Sequence, residues 1–289
     1  MEALRAARAA RLAVAAATLI LIVNLLGISA SGAESGTSEV GVFDNRILFG
    51  QSAALEGSAA ALGLGMREGI LAAFHEVNAA GGVKGRRLEL VSRNDGYEPD
   101  KAIENTNQLL KVDQVFALIG EVGTPTSKAA QPIATAAGVP FIGPFTGAAF
   151  LRDPTLASVI NVRASYDQET EAWVERLTTD LGISRIALFY QDDSFGLAGR
   201  SGVLTALEKR SMALVAEGTY VRNTTAVKTA LLTIRKAAPQ AVGMVGTYAA
   251  CAEFIRLARR LGLDAVLSTF PLSAATRSPK SLAAMARAS

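Results

Sequence analysis

From Ile47 onward, short apolar runs alternate with longer runs of helical period, and this alternation restricts the fold more than any other property of the chain. Ile47–Ser52, Leu88–Ser92, Val115–Ile119 and Pro140–Pro144 read as strands. Between them, Ala59–Asn78 places Leu62, Met66, Ile70, Phe74 and Val77 at helical spacing, and Gly81-Gly82 stops it. Asp100 is expected to cap a second helix running to Lys111, and Thr126–Ala137 to form a third. The pattern then restarts. Ser158–Arg163 is strand-like, Gln168–Leu181 helical, and Arg185–Tyr190 a buried strand. Gly199–Arg210 is helical, Ala213–Gly218 a short strand, Thr225–Ala237 a helix, Ala241–Val245 a strand and Ala249–Leu261 a helix. Short apolar strands joined by helices of this length imply βαβ units. The expected fold class is therefore α/β, with two lobes, each a parallel sheet flanked by helices. The aperiodic stretch Leu151–Ser158, containing Asp153-Pro154, is the expected crossing between them.

With 289 residues, half of them hydrophobic, the chain can bury one or two substantial cores. The net charge of +3 is small, and no Lys/Arg run follows the first eleven residues, so no nucleic-acid partner is expected. Arg5, Arg8 and Arg11 precede the apolar stretch Leu12–Ile28 and the small residues Ser29–Ala33, the order of a secretory signal peptide. Residues 1–33 are read as that signal, cleaved after Ala30 or Ala33, with an uncleaved anchor helix as the alternative. Residues 34–45, polar and small, suit a flexible leader. Cys251 is the only cysteine; it can form no intrachain disulfide and reads as a small core residue.

Few residues here can carry out catalysis. The single histidine, His75, lies in Phe74-His-Glu-Val-Asn78 without the second His of a zinc helix and reads as a helix-surface residue. One His and one Cys assemble neither a Cys–His pair nor a multi-histidine metal site, so no enzyme, metal or cofactor is expected. Gly63-Leu-Gly-Met-Arg-Glu-Gly69 has its third Gly misplaced for a dinucleotide loop and falls inside a helical pattern. Asp192-Asp193 reads as a solvated or capping pair. The strand ends say more, because ligands of open parallel sheets sit outside the carboxyl ends of the strands. Those ends are Gln51–Ala54, Gly120–Thr126 and Phe145–Gly147, all small, hydroxyl-bearing or Gly-rich. Thr124-Pro-Thr-Ser127 also opens a helix, which suits either an anion such as a ligand carboxylate or plain N-capping by Thr124.

Ile47–Gly57, Glu76–Gly85, Asp95-Gly-Tyr-Glu-Pro-Asp100, Gly123-Thr-Pro-Thr126, Pro140–Ala148 and Asn161-Val-Arg-Ala-Ser-Tyr166 resemble, in order, the periplasmic leucine-binding-protein family. The likeness runs from Arg46 to Asp264. It implies the type I solute-binding fold, with residues 46–155 as first lobe and 156–266 as a partial second lobe. It also implies a ligand between the lobes and no catalysis. By position, Ser52 and Ala53 match the first strand-end loop of the family; Gly123 and Thr124 match the loop that meets the ligand carboxylate; Thr146 and Gly147 match the next. From the second lobe, Tyr166, Phe195 and Tyr248 are expected in loops closing over the ligand. The family often has an acidic partner for the ammonium just after the Tyr248 position, where Ala249-Ala-Cys-Ala252 stands here. The implied role is the periplasmic component of an ABC importer, with an amino acid, amide or urea-like ligand and a membrane permease as partners. The alternative is a ligand-sensing regulatory module on the same fold.

After Leu263-Asp-Ala-Val266 the family pattern expects an Asn-Ile-Ser-Phe-Val-Gly type of segment, whereas the chain reads Leu267-Ser-Thr-Phe-Pro271 and continues rich in Ala, Ser and Arg. One codon frame over, from the third base of the Ser268 codon, the same bases can encode such a segment. Residues 267–289 are therefore read as an out-of-frame tail that leaves the second lobe incomplete, which resequencing across Val266 would decide.

Overall fold

A computed structural model of the chain describes residues 39–269. The expected signal peptide, residues 34–38 of the leader and residues 270–289 of the tail lie outside them. Two wholly parallel sheets organise the described residues. In the first, β1 (Arg46–Ala53), β2 (Arg87–Asn94), β3 (Ala117–Ile119), β4 (Phe141–Ile142) and β5 (Val159–Ile160) lie in the order β2-β1-β3-β4-β5. Helices α1 (Ala60–Ala79), α2 (Pro99–Lys111) and α3 (Thr124–Ala136) connect them. In the second, β6 (Ile186–Gln191), β7 (Ala216–Tyr220), β8 (Ala241–Val245) and β9 (Val266–Thr269) lie in the order β7-β6-β8-β9. Its helices are α4 (Tyr166–Glu175, continued by a π turn to Asp180), α5 (Ser194–Glu208), α6 (Lys228–Lys236) and α7 (Tyr248–Arg260).

The α/β, two-sheet architecture expected from the alternation is what forms, because parallel strands covered on both faces must be apolar throughout. Every residue of β8 is buried, as is all of β6 except Tyr190. Under the second sheet, Phe189 stacks on Phe254 (ring centroids 4.4 Å apart) and on Tyr220 (5.1 Å), with Cys251 buried beside them. Leu109, Val115, Leu118, Phe141 and Leu151 form the matching core of the first. A third cluster runs across both sheets, joining Ala53, Ala54, Tyr97, Val122 and Ala148 to Tyr166, Phe195 and Val245.

Three local expectations change. Val159–Ile160 pairs with β4 as the edge of the first sheet, so the chain leaves that sheet after Ile160 instead of at Leu151–Ser158. β5 shields an otherwise open edge of β4, which the aperiodic residues before it could not signal. The latter part of the leader is held in place: Leu48 N–H donates to the Gly41 carbonyl (2.9 Å), Phe43 N–H to Arg46 (2.8 Å), and the Arg46 guanidinium lies over the Phe43 ring. Leu267–Thr269, read as the start of the tail, continues β9 in register with Val242–Met244 of β8.

Both sheet orders reverse direction at one place, between β1 and β3 in the first sheet and between β6 and β8 in the second. Crevices open at the carboxyl ends of strands at such reversals.

Candidate functional site

β1 ends in Ser52 and Ala53, both wholly buried. Ser52 Oγ donates to Asp95 Oδ2 (2.9 Å) and accepts from Asn105 Nδ2 (3.2 Å). Asp95 N–H in turn donates to the Ala53 carbonyl (3.0 Å), and Asp95 Oδ1 accepts from Tyr97 N–H (2.8 Å). Burial pushes the Asp95 carboxyl up to about 6, against the pull of those two donors.

The β3 exit turns at Gly123, whose φ of +106° is open to glycine. A Cβ there would stand 2.2 Å from Cε2 of Tyr97, so the missing side chain is what lets the tyrosine ring lie on the loop. α3 begins at the next residue. Thr124 does not cap it: its hydroxyl meets Thr146 Oγ1 at 2.7 Å and the Tyr166 phenol at 3.2 Å, while Thr146 donates to the same phenol (3.3 Å). Gly147 lets Tyr166 approach in the same way, since a Cβ would sit 2.5 Å from Tyr166 Cδ1, and the Gly147 carbonyl accepts Tyr166 N–H (2.7 Å). Burial raises the Tyr166 phenol, with the Thr124 and Thr146 hydrogen bonds opposing it, so the group stays a neutral phenol at physiological pH.

The three second-lobe candidates sit in the first turns of helices, not in loops. Tyr166 opens α4, Phe195 lies in the first turn of α5, and Tyr248 opens α7. Tyr166 and Phe195 are in ring contact (centroids 5.7 Å), and the half-buried Tyr248 packs against the same cross-sheet cluster. Phe195 is fixed by Asp193, which caps α5 by accepting its N–H (2.9 Å). The structure thus brings Thr124, Thr146, Gly147, Tyr166 and Phe195 into one constellation, with Ser52, Ala53 and Gly123 beside it around Tyr97.

Sequence reasoning passed over several residues that complete it. Gln191, at the end of β6, donates to the Tyr97 phenol (3.3 Å) and to Asp193 (2.7 Å) and accepts from the Tyr220 phenol (2.9 Å). The Tyr220 phenol also accepts Thr247 N–H (2.8 Å). After β7, Arg222 bridges Glu98 (2.7 Å) and Asp193 (3.1 Å), while Asn223 donates to Glu98 (2.7 Å) and the Gly96 carbonyl (3.0 Å) and accepts from Ser58 (2.9 Å). The strand-end rule that picked out the other loops would have found Gln191. Glu121 lies on the Gly120–Thr126 segment with its side chain 1% exposed; burial pushes its carboxyl up to about 8, against the pull of its own backbone N–H and that of Ser52.

Chemically, the constellation offers hydroxyl, phenol and amide groups and an aromatic wall. His75 is exposed on α1, and burial pushes the Cys251 thiol up to about 12. Among the described residues no three His, Cys, Asp or Glu side chains are grouped to hold a metal ion. Such an arrangement suits non-covalent recognition of a small polar molecule.

The profile of a family described as periplasmic binding protein matches residues 47–288. Leu/Ile/Val-binding protein homolog 7 of Brucella abortus (strain 2308) is 25% identical over 227 residues, which are 76% of this chain and 56% of that protein. A crystal structure described as a possible leucine/isoleucine/valine-binding protein from Rhodopirellula baltica SH 1 is 41% identical, with a TM-score of 0.74 over 78% of this chain and 62% of that one. A substrate-binding periplasmic protein from Ralstonia solanacearum is 32% identical, with a TM-score of 0.72 over 77% and 63% of the two chains. The chain spans between 56% and 63% of the length of these relatives.

Proposed function

We propose that this chain, which belongs to the periplasmic binding protein family, captures a small polar solute between its two lobes and delivers it to a membrane permease. The observation that carries the reading is the cluster of Thr124, Thr146 and Tyr166, where hydroxyls from the two lobes meet at the strand ends. Ligands that close a hinged pair of lobes gain contacts from both faces at once. In this reading Ser52, Ala53, Gly123, Thr124, Thr146 and Gly147 hold the polar head of the solute. Tyr166, Phe195 and Tyr248 cover its other side. The names of the relatives favour an amino acid, and an ABC importer and a periplasmic location follow from the same family role.

Thermal-shift screening of the full chain against amino acids, their amides and urea tests the reading. A solute at about 100 times its Kd stabilises a two-state binder by about 2.7 kcal/mol, a rise of several degrees in Tm. Absence of any shift across the panel would remove the solute-binding reading. Uptake of the hit in cells lacking the gene, restored by supplying it, tests the link to a permease.

A further inference from the structure

One face of the first sheet is left short of cover. Right-handed crossovers carry β2 to β3 and β3 to β4 in one direction across the sheet, which puts α2 and α3 on the same face. The step from β1 to β2 runs the other way and leaves α1 alone on the opposite face. α2 packs along α3, and α4 along α5 in the second lobe, whereas among the described residues α1 packs chiefly on β1 and β2. Parallel sheets occur almost only where both faces are covered. The shortfall shows in β3, where Leu118 is wholly buried and its neighbour Ile119 only half-buried. Beside α1 an apolar groove of about 470 Å³ stays open, floored by Ile119 and Phe145 and walled by Gly65, Gly69 and Ala73 of the helix. A Cβ added at Gly65 or Gly69 would meet nothing within 4 Å.

We propose that residues 270–289 dock as a helix into this groove, so that the end of the chain straps the second sheet to the first lobe. They follow β9 directly, and the thirteen residues from Thr269 to Leu282 span up to about 45 Å, well over the ~30 Å diameter of a small domain. Ser278-Pro279 has the order of an N-cap and a first helical residue, and Leu282, Met285 and Ala286 follow at the spacing of one helical face. Leu282 and Met285 are then the large side chains for which a wall of glycines leaves space. The charges match as well. Glu68 and Glu76 follow Gly65 and Ala73 by three residues, which sets them beside the groove, and both are exposed. Residues 270–289 contain Arg277, Lys280 and Arg287 and no acid. A second copy laid α1 against α1 would instead bring those glutamates towards their own counterparts. The family profile also runs on through this stretch, to residue 288.

The docked tail covers the face of β3 that α1 leaves open and shields the half-buried Ile119 and Phe145 from water. It joins the lobes at a place other than the Arg222–Glu98 bridge, so it limits how far they separate. The strap stands apart from the solute-binding reading, since it uses neither the strand-end hydroxyls nor the aromatic wall.

The experiment uses the full chain. Trypsin cuts after Arg277, Lys280 and Arg287 in the undocked fraction, so release of residues 278–289 should be about tenfold slower than cutting of a synthetic peptide of residues 270–289. Gly69→Leu fills the groove without a clash and should bring cleavage up to the rate of the peptide. Gly69→Cys combined with Leu282→Cys or, separately, with Met285→Cys tests the contact itself. At least one of these pairs should close within a single chain under a mild oxidant, with Cys251 buried out of reach. His75→Cys, exposed on the same helix but outside the groove lining, should close with neither. A wild-type tail cut as fast as the peptide overturns the proposal, and so does protection that survives Gly69→Leu. Covalent dimers in place of the intrachain bond would overturn it in favour of a second copy in the groove. Should Gly69→Leu not fold, the cysteine pairs decide, and failure of both to close overturns the proposal. None of these outcomes touches the solute-binding reading, which the thermal-shift panel tests by itself.

Discussion

At the scale of single residues, the strand-end positions are shaped by what must pass close to them. Gly123 combines a left-handed φ of +106° with the Tyr97 ring, which is fully buried and held at its far end by Gln191. Gly123→Ala would force the loop or the ring to move and should cost about 2–4 kcal/mol. A urea titration checks this: the midpoint should fall with an unchanged slope, and an unchanged midpoint would mean that Tyr97 is free to shift. Ser52, Gly123, Thr124 and Thr146 were legible because a strand end in a parallel sheet is a short, local pattern. Tyr97 and Gln191 were not, since they lie 94 residues apart and meet only when both sheets are built. Glu121 stands in one of those loops, but no spacing tells that its carboxyl will be wholly buried.

At the scale of elements, existence was legible and boundaries shifted by the chemistry of their ends. α3 starts at Thr124, not Thr126, because the backbone turns at Gly123 and Thr126 folds its hydroxyl back to the Val122 carbonyl (2.6 Å). α2 starts at Pro99, which suits a first helical turn, so Asp100 lies inside the helix it was expected to cap. β7 begins later than expected, at Ala216, after Ser211 takes a φ of +54° in the turn that closes α5. α4 begins at Tyr166 because Ser165 and Gln168 form a reciprocal capping box: Gln168 N–H donates to Ser165 Oγ (3.2 Å) and Ser165 N–H to Gln168 Oε1 (2.9 Å). That cap places a site residue as well as a helix. Ser165→Ala should cost about 1 kcal/mol and loosen the first turn that carries Tyr166. Faster amide exchange at Gln168 and Glu169, with protection in α5 retained, is the expected readout. Uniform loss of protection across the second lobe would contradict so local a role.

At the scale of the whole molecule, the two-sheet plan was legible because each sheet is assembled from repeated local units. Closure of one lobe on the other was not, for it depends on side chains with no pattern in sequence. Arg222 and Asn223, on the turn between β7 and α6, reach across to Glu98, Gly96 and Ser58 of the first lobe, and Gln191 reaches Tyr97. Arg222 also pairs with Asp193, the cap of α5, so one guanidinium ties the first lobe to the helix that presents Phe195. The pairs are half-buried, which puts each between a screened surface bridge and a desolvated one, about 1–2 kcal/mol. Arg222→Ala removes both links and leaves the strand-end hydroxyls in place. It should shift the balance toward the open arrangement and weaken solute binding by about tenfold, through the smaller fraction of closed molecules. Small-angle scattering would show a larger radius of gyration without ligand and recovery at saturation. An unchanged radius with weakened binding would instead make Arg222 a ligand contact; a changed radius that ligand does not restore would mean the lobes need this bridge to close at all.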